Sequence, residues 1–121
     1  MISWAVMGYG AALSVLVAAA LTAIPKPRQA SVIATAAIAA GLGALAWNAI
    51  LHAAHGTDFF TDAPISVFPA SWQDTGSGVF AFTVACLALG LGPLAGQPGR
   101  RLTVTALLAG VAAFLVDIYL Y

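Results

Sequence analysis

Residues 30–52 read ASVIATAAIAAGLGALAWNAILH, an apolar run with no charged residue before its terminal histidine. A helix rises 1.5 Å per residue, so crossing a hydrocarbon core of roughly 30 Å takes about 20 residues. The run meets that length and offers no charged face to water. Immediately before it stands Pro25-Lys26-Pro27-Arg28, where two prolines and two cations end any helix arriving from residues 2–24. Two further apolar runs follow, and the spacing predicts four spans at about 2–24, 30–54, 77–95 and 102–121. The expectation is an all-α, integral membrane four-helix bundle made of two antiparallel hairpins in a single transmembrane domain. The first run lacks a charged leading segment and exceeds the length of a signal-peptide core, so it reads as a retained helix.

Composition supports this environment. Of 121 residues, 62% are hydrophobic and 7% charged, against about 25% charged in a soluble domain. Mean hydropathy is +1.00. Net charge is zero, which removes the basic field that nucleic-acid binding needs. Cys86 is the sole cysteine, so neither an internal disulfide nor a cysteine redox pair is available. No Gly-rich loop feeds a helix, which sets nucleotide hydrolysis aside.

Charge is sorted along the chain. Lys26, Arg28, Arg100 and Arg101 occupy the turns 25–29 and 97–101, while every acidic residue and histidine lies elsewhere. Alternating spans put both turns on one face, which the positive-inside rule assigns to the cytoplasm. Both termini and loop 55–76 are then extracytoplasmic (N-out, C-out), and heavy alanine use points to a bacterial inner membrane. Trp4, Tyr9, Trp72, Tyr119 and Tyr121 form an aromatic belt at the outer boundary. Glycines and alanines such as Gly8, Gly10, Gly41, Gly43, Gly90 and Gly92 let backbones approach, either within the bundle or against another subunit.

Loop 55–76 is expected to be an ordered cap, because so long a connection in a compact chain is seldom a plain linker. It holds the loop candidates Asp62, Trp72 and Asp74, with Asp74 or Thr75 as a candidate N-cap for the third helix. Asn48, His52 and His55 follow an i, i+4, i+7 spacing and share one helix face. His52 sits about 34 Å along its helix and Asp117 about 24 Å along the fourth, depths that let the two meet. An ionisable residue inside a span usually faces the bundle interior and has a partner.

Three readings of Asn48, His52, His55 and Asp117 compete. In the first, they hydrogen-bond one another and pin the cap to the bundle. In the second, Asp117 and a histidine handle protons or a solute. In the third, His52, His55 and Asp58 bind a divalent metal, with Asp62 or Asp117 completing the set. No cofactor is otherwise expected. The polar inventory is thin and lies toward one side of the membrane. That favours a non-enzymatic accessory or scaffold subunit, docked onto a larger membrane complex or its own copies within the lipid bilayer. A proton-coupled transporter or channel and an extracytoplasmic metalloenzyme are the alternatives.

Overall fold

The computed structural model describes residues 3–25, 29–55 and 70–120. Among them lie four α-helices: α1 (Trp4–Thr22), α2 (Ala30–Ala54), α3 (Trp72–Leu91) and α4 (Gly99–Leu120). All four are long and apolar enough to cross a membrane. They form an up-down-up-down bundle in which each helix packs on its sequence neighbours, α1 also packs on α4, and α2 faces α4 across the centre. One end carries Thr22, Gln29 and Arg101 (the basic end). The other carries Trp4, His52, Gln73 and Asp117 (the polar end).

The bundle is built from small residues inward and large residues outward. Ala36, Ala40, Ala81, Ala85, Ala106, Ala109, Ala112 and Ala113 are fully buried, whereas Leu16, Ile38, Leu42, Leu87 and Leu107 are exposed. A water-soluble bundle would invert this order. In lipid no hydrophobic gain rewards burying leucine, and close backbone contact holds the helices instead.

Each neighbouring pair along the chain crosses over a glycine. A methyl group added at Gly43 would stand 2.6 Å from the Ala81 backbone, where α2 meets α3. One added at Gly110 would stand 2.9 Å from the Gly78 carbonyl oxygen, where α3 meets α4. Gly41 presses on Val15 and Ala11 of α1 in the same way. The small residues of α2 are thus occupied inside the bundle rather than left for a partner. Gly8 differs, since nothing lies near its missing side chain.

Helix boundaries correct the sequence reading at two places. α3 begins at Trp72 rather than near residue 77, so residues 72–76 belong to the helix and not to a cap. The cause is a capping box: Ser71 Oγ accepts from the Asp74 backbone N–H, and the Asp74 carboxyl accepts from the Ser71 backbone N–H at 2.8 Å. Ser71, not Asp74 or Thr75, is therefore the N-cap. α3 ends at Leu91, four residues before the expected 95, and α4 starts at Gly99 instead of 102. The turn between them is tight, with the Leu94 N–H donating to Leu89 O at 2.9 Å and Gly96 at a φ of +77° that favours glycine.

Candidate functional site

The early start of α3 carries a polar side chain into the bundle. Gln73, Ser77, Ala81, Ala85 and Leu89 recur every four residues and are all buried, so they form the inward stripe of α3. Gln73 is fully buried at its polar-end tip. Its Nε2 donates to Asn48 Oδ1 on α2 at 2.7 Å and to Asp117 Oδ2 on α4 at 2.8 Å. Ser77 Oγ stands farther from it, at 3.4 Å. An amide nitrogen carries two protons, and the two short bonds use both. One side chain thereby joins three helices.

The surroundings hold that amide in place. Asn48 Nδ2 donates back to Ala44 O at 2.9 Å, which turns its Oδ1 toward Gln73. Trp47 Nε1 donates to the Gln73 backbone carbonyl at 2.9 Å, its indole lies against Gly76, and its ring meets Phe80 at 5.0 Å. Any side chain at position 76 would collide with that indole. Asn48, Ser77 and Asp74 are the further polar neighbours of the Asp117 carboxyl.

Two fully buried oxygens, Gln73 Oε1 and Asp117 Oδ1, have no hydrogen-bond partner among the described residues. An unmade bond to a buried polar atom costs about 1–3 kcal/mol. Below the cluster the buried hydrophobic core is mostly alanine, with Leu89, Leu94 and Val32, and the buried hydroxyls of Ser14, Thr22 and Thr105 bond back to their own helix backbones.

The sequence-derived candidates separate in space. Asn48 and Asp117 converge, with Gln73 between them. His52 packs its ring on Trp4 of α1, with centroids 4.7 Å apart. His55 is exposed and caps α2 in a left-handed conformation, with φ at 55°. Depth along the helices predicts a meeting of His52 and Asp117; in the structure Gln73 donates to Asp117 Oδ2, while the His52 ring lies against Trp4. Asp74 is buried in the capping box, and Trp72 is exposed. Asp58 and Asp62 lie outside the described residues. Among the described residues no three His, Cys or Asp side chains are grouped to hold a metal.

The chain has no counterpart among family models, curated proteins or solved structures. Function therefore rests on its own geometry.

Gln73 is the residue that sequence reasoning missed. Its signal was present, since Ser71-x-x-Asp74 is a capping-box pattern that starts a helix at residue 72. With that start, Gln73 and Ser77 fall one turn apart on the face that continues into Ala81 and Ala85.

Proposed function

We propose that this chain is a non-enzymatic subunit of a multi-pass membrane assembly, acting as a rigid four-helix scaffold that associates with its own copies. The observation that carries the reading is the outward surface of α3. Two apolar grooves flank this helix and share Thr75 and Val79 as the ridge between them. One groove, about 340 Å³, runs over Gly78 and Gly110 toward α4; the other, about 270 Å³, runs over Gly76 toward α2. An exposed apolar ridge set between two grooves is a surface into which a second helix packs in lipid. A ridge with a groove on either side is also self-complementary about a two-fold axis.

The polar cluster suits the same role. It ties α2, α3 and α4 with an amide, a second amide and a carboxyl. On the positive-inside rule the basic end faces the cytoplasm of a bacterial inner membrane and the cluster lies toward the extracytoplasmic side. Extraction into lipid nanodiscs followed by mass determination tests the proposal. A dimer or larger assembly is expected; a monomer at every protein-to-lipid ratio would refute it.

A second reading is favoured by one observation, the buried Asp117 Oδ1, which has no hydrogen-bond partner among the described residues. An intramembrane carboxyl with an open oxygen is a place for a proton or a small cation, as in a proton-coupled transporter. Asp117→Asn would then abolish pH-driven uptake into liposomes. Unchanged flux in that variant would remove Asp117 from any such mechanism.

A further inference from the structure

The basic end holds a cavity of about 470 Å³ where the C-terminus of α1 meets the N-termini of α2 and α4. Its walls divide by chemistry. Arg100, Arg101 and Gln29 supply the polar side, and Val32, Ile33 and Val104 the apolar side. Among the described residues Arg101 is held at the wall by one side-chain bond, its Nη2 donating to Gln29 Oε1 at 2.8 Å. A guanidinium has five donors, so most of the fork remains for another acceptor.

The backbone adds to this positive character. Gln29 is the N-cap of α2 and its own side chain makes no capping bond to the first-turn N–H groups of that helix. Neither α2 nor α4 has an acidic residue in its first turn. The described carboxyls, Asp74 and Asp117, both lie at the opposite end. Two arginines and two helix N-termini therefore meet one cavity with no acidic group to neutralise them.

We propose that this cavity binds the headgroup of an anionic phospholipid. The phosphate would sit against Arg100 and Arg101, and the glycerol and upper acyl chain against Val32, Ile33 and Val104. A basic pocket between membrane helices at headgroup level matches that ligand in both halves. A soluble phosphate would use only the polar half and leave the valine and isoleucine walls bare. Lys26 and Arg28 lie outside the described residues and are not counted in the site.

The test is lipid titration of the purified protein in a neutral detergent, read by thermal unfolding and by native mass spectrometry of retained lipid. Phosphatidylglycerol should raise the melting temperature and remain bound, whereas phosphatidylcholine should do neither. Arg100→Gln should weaken phosphatidylglycerol about fivefold, and the Arg100→Gln/Arg101→Gln pair about 25-fold. Val104→Trp keeps every charge but fills the cavity, and should also weaken it. Circular dichroism confirms that each variant folds before it is scored. Equal response to the two lipids would overturn the site, as would wild-type affinity in both Arg100→Gln and Val104→Trp. Stabilisation by inorganic phosphate equal to that by phosphatidylglycerol would overturn the lipid assignment in favour of a soluble anion.

Discussion

Gln73 Nε2 stands 2.8 Å from Asp117 Oδ2, and the same nitrogen stands 2.7 Å from Asn48 Oδ1. The tip of α3 is thus fastened to α4 and α2 by one buried amide. If that amide is the clamp, Gln73→Leu removes the donor that faces Asp117 Oδ2, and the free energy of unfolding in micelles should fall by about 1–2 kcal/mol. Asp117→Asn keeps an acceptor and should cost less. In a double-mutant cycle with Asp117→Leu, the two leucine changes should be non-additive by about 1 kcal/mol. Additivity would mean that the bond contributes nothing.

Glycine crossings should be intolerant in proportion to their contacts. Gly43→Leu and Gly110→Leu drive a side chain into the backbone of a neighbouring helix, so each should destabilise by about 1–3 kcal/mol or abolish folding. Gly8→Leu enters open space and should fold as the parent does. Comparable damage at all three positions would show that the crossings are not where the structure puts them.

The α2 terminus should gain from a smaller residue. His55 adopts φ 55°, a conformation that costs residues other than glycine about 1 kcal/mol. His55→Gly should therefore stabilise the protein by several tenths of a kcal/mol, read as a rise in melting temperature. Loss of stability would indicate that the imidazole makes a contact worth more than the strain.

Removing the cap of α3 should loosen the polar end. Ser71→Ala deletes the hydroxyl that accepts from the Asp74 N–H and should cost about 1 kcal/mol. Because the cap sets where α3 begins, hydrogen exchange at residues 73–77 should accelerate before exchange deeper in the helix. Uniform protection across α3 would argue against that role.

The sequence announced α1 and α2 because proline and charge punctuate them; the expected span 30–54 coincides with α2. It was less clear for α3, whose first turn, Trp72-Gln73-Asp74-Thr75, is polar and therefore resembles a loop. Hydropathy alone cannot separate a polar loop from a polar helix tip buried among other helices. Only the capping pattern at Ser71 and Asp74 marks the difference. The cluster was half legible for the same reason. Asn48 and Asp117 stand out as polar residues within apolar runs, whereas Gln73 falls in the polar stretch that reads as part of loop 55–76. Depth along the helix brought His52 toward Asp117, but depth does not give the rotation of a helix, and His52 turns to Trp4.

Assembly through the outward ridge of α3 is tested most directly by disulfide crosslinking. In a Cys86→Ser background, Val79→Cys places a thiol on the ridge, where the side chain is 56% exposed. Leu16→Cys places one on α1, 66% exposed and diagonally across the bundle. Mild oxidation in native membranes should crosslink the Val79→Cys protein to a dimer and leave the Leu16→Cys protein monomeric. Absence of a Val79→Cys dimer, or equal crosslinking at both positions, would contradict assembly through α3.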